Sequence, residues 1–317
     1  MKIKKALIFG VSGQDGAYLS KLLLEKNYKV FGVTRSKTNK NILNLEKLKI
    51  KRKINIILLK NLKKKKINEL IKRISPTEIY YLAGQSSVGL SFKNPIEAYK
   101  SNNLCLFYVL EYCRIFKKKI KIYNSASSEC FGNNKKIYCN EKTPFNPISP
   151  YGRAKSFSFW LMKYYRDNFK INASNGILFN HESPLRKKEF VTGKITSYAF
   201  NYKKNKKKLF LGNTNISRDW GWAYDYVKAI YLINSNKNND DYVIGSGKHN
   251  SLKNFIKFVF TKKKIPLKMI REVGELKRKN EIKKICADVK KIKKDLNWKT
   301  MYNLEDIAHK LVNKDLY

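Results

Sequence analysis

Two short stretches bring together residue types that can do chemistry. Asn124-Ser125-Ala126-Ser127-Ser128-Glu129 gathers hydroxyls and a carboxylate, and Ser149-Pro150-Tyr151-Gly152-Arg153-Ala154-Lys155 sets a phenol four residues before an ammonium. Ser149 reads as a helix N-cap and Pro150 as the first helical residue. Tyr151 and Lys155 then share one helix face. A free phenol, with a pKa of about 10, is a poor base at neutral pH. A neighbouring ammonium favours the phenolate and lowers that pKa. A serine hydroxyl from the first stretch can hydrogen-bond the same substrate oxygen. Together these groups describe a base that takes a proton from a sugar or alcohol hydroxyl while hydride leaves its carbon. Taken alone, Tyr-x-x-x-Lys usually marks no more than a solvated helix face, so the elements that would position it have to decide.

Ile120 to Tyr123 alternate and are β-rich, which predicts a short buried strand ending at the Ser/Ala run, where α/β sheets expose reactive groups. Ala6 to Phe9 predict another strand, followed by Gly10-Val11-Ser12-Gly13-Gln14-Asp15-Gly16 and a helical run from Ala17 to Lys26. Strand, glycine-rich turn and helix in that order make a dinucleotide-binding start, with free helix N–H groups offered to a pyrophosphate. An ordinary glycine turn is the competing reading. Val30 to Val33 predict the second strand. An NAD site places Asp or Glu at its end, and this chain has Thr34-Arg35-Ser36-Lys37 there. Arg35 suits a 2′-phosphate, so NADP is expected over NAD, against the alternative of a surface arginine. Further strands are expected over 54–59, followed by Asn61 and Leu62, and over 78–83, followed by Gly84-Gln85-Ser86-Ser87. An amphipathic helix is expected over 95–117. Strands alternating with helices predict a parallel, doubly wound α/β sheet of the Rossmann-like kind.

The chain has 317 residues, 43% of them hydrophobic, enough for a sizeable core. Its net charge of +44 first suggests nucleic acid. Only ten of the 68 basic residues are arginine, however, and the 58 lysines are spread along nearly every segment. Readers of bases and phosphates lean on arginine's planar fork, so no nucleic-acid partner is expected. Five cysteines without C-x-x-C spacing imply thiols in the cytoplasm. The scattered His181, His249 and His309 suggest no metal site, and no apolar stretch reaches membrane-spanning length.

The second half adds strands near 173–179 and 241–244, and the motifs Asn180-His181-Glu182-Ser183-Pro184 and Arg218-Asp219-Trp220-Gly221. With Gly13-Gln14-Asp15-Gly16, Gln85-Ser86-Ser87-Val88, Ser127-Ser128-Glu129 and Ser149-Pro150-Tyr151, these resemble the GDP-mannose 4,6-dehydratases of the extended short-chain dehydrogenase/reductase family. The chain departs from that pattern at Ser127 (Thr in the family), at Asn61 (Asp), at Leu185-Arg186-Lys187 (an Arg pair and Gly) and after Arg278.

The resemblance implies a lyase that turns GDP-mannose into GDP-4-keto-6-deoxy-mannose with NADP. Tyr151, Lys155, Ser127 and Glu129 would be catalytic. Glu129 would distinguish a dehydratase from an epimerase, because elimination needs an acid/base at C5 and C6. The implied cofactor residues are Gly10, Ser12, Gly13, Gln14, Asp15, Arg35, Asn61, Leu62, Leu82, Ala83, Gln85, Ser86, Tyr151, Lys155, His181 and Arg186. Ser87, Ser127, Asn180, Lys194, Arg218 and Arg278 would hold substrate. A homodimer or homotetramer is implied, and a dehydratase or epimerase on another nucleotide sugar is the alternative. The expected organisation is a Rossmann domain over 1–183, rejoined by 215–248, with a smaller, discontinuous α/β substrate domain over 184–214 and 249–317. Trp220 and Trp298 are expected in the core.

Overall fold

The apolar β-rich runs become strands because their side chains are buried on both faces of one sheet: Ala6, Leu7, Ile8 and Phe9 are each 1% exposed or less. The computed structural model describes residues 3–36, 38–60, 63–203, 207–276 and 280–317. In chain order the elements begin β1 (Lys5–Phe9), α1 (Gln14–Glu25), β2 (Lys29–Thr34), α2 (Asn39–Lys47), β3 (Asn55–Leu58), α3 (Lys64–Ile74), β4 (Glu78–Tyr81) and α4 (Val88–Lys93). They continue as α5 (Pro95–Ile115), β5 (Lys121–Ser127), β6 (Tyr138–Cys139), α6 (Pro150–Phe169), β7 (Ala173–Leu178), β8 (Asn180–Glu182), α7 (Val191–Asn201), β9 (Leu209–Leu211) and β10 (Ser217–Trp222). The chain ends with α8 (Ala223–Ser235), β11 (Asp241–Ile244), β12 (His249–Ser251), α9 (Leu252–Lys262), β13 (Ile270–Glu272), β14 (Cys286–Ala287), α10 (Lys290–Leu296) and α11 (Leu304–Asn313).

Seven strands form the main sheet in the order β11-β7-β5-β4-β1-β2-β3. The pairings of β1 with β2 and β4, of β2 with β3, and of β5 with β4 and β7 are all parallel. The chain runs one way from β1 through β3 and the other way from β4 onward, so the topological switch lies between β1 and β4. This is the expected Rossmann-like, doubly wound sheet, and its crevice is where such sheets bind ligands. Its core joins Leu7, Phe9, Ile79 and Ile122 to Val109 and Leu110 of α5 and Met162 of α6.

Two compact units emerge. One holds residues up to Gly132, Phe145–Leu178 and Val227–Tyr242; the other holds Asn133–Pro144, Phe179–Tyr226 and Val243–Tyr317. These limits differ from the expected ones. The segment that rejoins the first unit begins at Val227 rather than 215, and Asn180 to Ser183 group with the second unit. Of the strands in 215–248, the segment expected to rejoin the Rossmann domain, only β11 enters the main sheet. β10 instead pairs in parallel with β8 and antiparallel with β12. The cause is apolar packing: Trp220 and Trp222 of β10 are buried with Leu252, Phe255 and Ile307 in the second unit's own core. Trp298 is also buried, and its indole donates to the Asp225 carbonyl at 3.0 Å.

Candidate active site

Strand β5 runs further than its apolar residues alone predict, through the Ser/Ala run to Ser127. The next three residues form a short 3₁₀ turn, and the Ser127 hydroxyl accepts from the Glu129 amide at 3.3 Å. On α6 the sequence-read start is the observed one: Ser149 caps by accepting from the Gly152 amide at 3.0 Å, and Pro150 opens the helix. The two stretches meet at Gly152. A Cβ built there would lie 2.6 Å from the Glu129 carbonyl oxygen and 3.2 Å from Pro147 Cβ. The absence of a side chain at 152 therefore lets the Glu129 turn pack on the helix turn that bears Tyr151. In a helix Ala normally gains about 1 kcal/mol over Gly. Here the overpacking cost of about 1–3 kcal/mol wins. Gly152→Ala should lower both the melting temperature and turnover; a raised melting temperature with unchanged turnover would refute the reading.

A polar network ties the same strand and helix together underneath the site. The Asn124 amide on β5 donates to Asn175 Oδ1 at 2.8 Å and lies 3.4 Å from the Ser158 hydroxyl of α6. Asn175 Nδ2 donates onward to Asp241 Oδ1 at 2.9 Å, and Arg166 of α6 grips Asp241 with two bonds of 2.8 and 2.7 Å. Asn124 and Asn175 are fully buried, so removing one member would leave its partners unsatisfied.

Lys155 is buried, and its ammonium donates to the Ser125 carbonyl at 2.8 Å and sits 6.0 Å from the centre of the Tyr151 ring. Burial pulls its pKa down from 10.5 to about 8, against weaker opposing charge from Cys130 and Asp15. In the unfolded chain this lysine stays protonated to a higher pH. The stability cost of burying its charge is thus in full force below pH 8 and relieved as pH rises toward 10.5. The wild-type protein should gain about 2 kcal/mol of unfolding free energy between pH 8 and pH 10 relative to Lys155→Met. Parallel denaturation curves for the two proteins across that range would disprove it.

Most of the residues expected on the cofactor side lie on the loops after β1 and β4, at the switch point. Gly10 has φ +88°, and a Cβ on it would lie 2.8 Å from the Leu82 carbonyl carbon, so the loops after β1 and β4 are in direct apposition. Helix α1 starts at Gln14, within the predicted turn, and its N-cap Gly13 puts no side chain over the first-turn amides. That cradle fits a dinucleotide pyrophosphate. Ser12 Oγ lies 3.5 Å from Thr34 Oγ1, and Gln14 Nε2 donates to Asp15 Oδ1 at 3.1 Å. After Leu82 and Ala83, the Gln85 amide donates to the Ser101 hydroxyl at 3.0 Å, Ser86 is exposed, and Ser87 caps α4. Arg35 follows β2 and pairs with Glu97 at 3.0 Å. Asn61 and Leu62 lie outside the described residues.

Asn180, His181, Arg186, Lys194 and Arg218 belong to the second unit. Asn180 and His181 are on β8. The His181 ring stacks on Tyr226, with centroids 4.6 Å apart, and its Nδ1 lies 2.7 Å from the Phe179 carbonyl, which only accepts. Nδ1 therefore carries a proton. Arg186 donates to the His181 carbonyl at 3.1 Å and lies 3.0 Å from Glu182 Oε2, an ion pair without aligned hydrogen-bond geometry. Lys194 is exposed on α7, and Arg218 is buried on β10. Its neighbour Asp219 accepts from the Ser246, Gly247 and Ala287 amides at 2.7, 2.9 and 3.2 Å, which fixes the turn after β11 to β10 and β14. Arg278 lies outside the described residues. Among the described residues no group of His, Cys, Asp or Glu suits a metal ion, and no helix is long and apolar enough to cross a membrane.

The family model for GDP-mannose 4,6 dehydratase matches residues 7–311. The chain belongs to the GDP-mannose 4,6-dehydratase family. It is 34% identical to the GDP-mannose 4,6-dehydratase of Sinorhizobium fredii (strain HH103), over 99% of this chain and 97% of that one. It is 36% identical to GDP-mannose 4,6 dehydratase 1 of Arabidopsis thaliana (99% and 90%) and 34% identical to the Homo sapiens enzyme (98% and 91%). Among solved structures its fold is similar to the UDP-glucose 4-epimerase of Thermotoga maritima, with TM-score 0.86, 21% identity, and 98% of each chain covered. The dTDP-glucose 4,6-dehydratase of Bacillus anthracis also scores 0.86, at 19% identity, with 98% of this chain and 96% of that one covered. Membership in this dehydratase family was legible in the motifs. Glu97, Gly152 and the Asn124–Asn175–Asp241–Arg166 network were not singled out, since each depends on partners distant in sequence.

Proposed function

We propose that this chain is an NADP-dependent enzyme that converts GDP-mannose to GDP-4-keto-6-deoxy-mannose with loss of water. The observation that carries the reading is the joint at Gly152, which packs the Glu129 turn on the helix that bears Tyr151 and Lys155. When bound, the nicotinamide supplies the hydride acceptor for C4 and the donor for C6. Tyr151 takes the C4 hydroxyl proton, and Ser127 hydrogen-bonds that oxygen. Lys155 favours the phenolate by its charge and holds the nicotinamide ribose. The C4 ketone acidifies the C5–H bond. Glu129 removes that proton, the C5–H electrons form a C5–C6 double bond, and the C6–O bond breaks as Glu129 passes its proton to the departing water; once hydride has returned to C6, the proton that Tyr151 took from the C4 hydroxyl goes to C5. Asn180, Lys194, Arg218 and Arg278 are assigned to the nucleotide sugar, the arginines to its diphosphate. Incubation of the purified protein and NADP⁺ with GDP-mannose and other nucleotide sugars tests the proposal. A product lighter by one water from GDP-mannose is expected, and water loss only from another sugar nucleotide would overturn the substrate assignment.

NADP is preferred over NAD on the strength of Arg35 at the end of β2. A homo-oligomer is supported by large apolar side chains left exposed on α5 and α6: Ile96, Leu104 and Phe107, with Phe157, Trp160 and Tyr164, are each 40–65% exposed. A single-chain mass in sedimentation would refute it.

A further inference from the structure

Arg35 does not stand alone at the end of β2. Its guanidinium NH1 lies 3.0 Å from Glu97 Oε1, with side-chain exposures of 63% and 42%. Glu97 arrives from α5, 62 residues further along the chain, and its backbone is firmly held. Its amide donates to the cap Asn94 at 3.1 Å, and its carbonyl accepts from the Ser101 hydroxyl at 2.6 Å. That same hydroxyl accepts from the Gln85 amide, on the loop that follows β4. The side chain thus springs from a backbone held in place in the first turn of α5. Sequence reading found no acid at the end of β2, yet folding brings one there.

We infer that Glu97 sets the cofactor preference by holding Arg35 against a 2′-phosphate while offering an acceptor to a 2′-hydroxyl. The inference rests on the proposed reading of Arg35 as the 2′-phosphate ligand. A 2′-phosphate carries close to two negative charges near neutral pH. It must take Arg35 from Glu97 and then sit beside that carboxylate. A ribose 2′-hydroxyl meets the opposite situation, since it donates and the carboxylate accepts. The corner therefore holds both readers of the ribose, with the acid supplied from α5 instead of from the second strand. Because both side chains are well exposed, solvent screens their contact and the effect is a bias rather than a switch.

The test is titration of NADP⁺ and NAD⁺ separately into the whole protein at fixed ionic strength, for wild type, Glu97→Gln and Arg35→Ala. Both substitutions are on the surface and leave the core intact. Glu97→Gln should shift the ratio of the two dissociation constants toward NADP by about tenfold, mainly through tighter NADP. Arg35→Ala should weaken NADP by at least about tenfold and leave NAD nearly unchanged. If Glu97→Gln leaves the ratio within about twofold while Arg35→Ala still abolishes the preference, the role of Glu97 is overturned and that of Arg35 stands. If neither substitution changes either affinity, both readings fall.

Discussion

Glu129→Gln should lower turnover of GDP-mannose by about a hundred- to ten-thousand-fold, the usual worth of a general acid–base group. The amide is nearly isosteric with the carboxyl, and the turn is built from backbone: Ser127 accepts from the residue 129 amide, and Gly152 packs on the residue 129 carbonyl. Fold and cofactor affinity should therefore survive. With oxidation at C4 assigned, as proposed, to Tyr151 and Lys155, a partial burst of reduced-nicotinamide absorbance should persist in a single turnover. Elimination should fail because the amide cannot take the C5 proton. Near-normal formation of the water-loss product by this variant would show that Glu129 is only a neighbour of the site.

Tyr151→Phe should also cost about a hundred- to ten-thousand-fold, but at an earlier step. Removing the phenol takes away the proposed acceptor of the C4 hydroxyl proton, so the reduced-nicotinamide burst should vanish together with the product. The ring is 8% exposed, and the substitution keeps its packing, so the melting temperature should change little. The two variants thus divide the reaction: one retains hydride transfer and loses elimination, the other loses both. A burst of wild-type size in Tyr151→Phe would remove the phenol from its assigned role.

Much of this site was legible because its parts are local. The cap at Ser149, the helix start at Pro150 and the i,i+4 pair of Tyr151 and Lys155 are all set by residues within one or two turns, and the sequence spells them out. The parallel sheet was legible for the same reason, since its strands are short apolar runs between helices. The features that escaped depend on distant partners. β10 looks like any strand bound for the main sheet until Trp220 and Trp222 find the apolar cluster of the second unit. Glu97 reads as an ordinary first-turn acid until Arg35 meets it across 62 residues. Gly152 looks like a weak point in a helix until the carbonyl of Glu129 lies against it.

The bidentate grip of Arg166 on Asp241 also bears on how the protein is made. Asp241 follows Arg166 by 75 residues and Asn175 by 66. At about 5–20 residues per second, a nascent chain waits roughly 3–15 seconds between synthesising α6 and synthesising the carboxylate that pairs with it. Through that interval Arg166 and Asn175 lack their anionic partner, and the edge of β7 lacks its last strand, while residues of the other unit are being added. An unpaired strand edge is a feature that aggregation exploits. Helix α6 is therefore synthesised well before the carboxylate that locks it, which makes translation rate and chaperone supply the conditions to vary first in producing this protein.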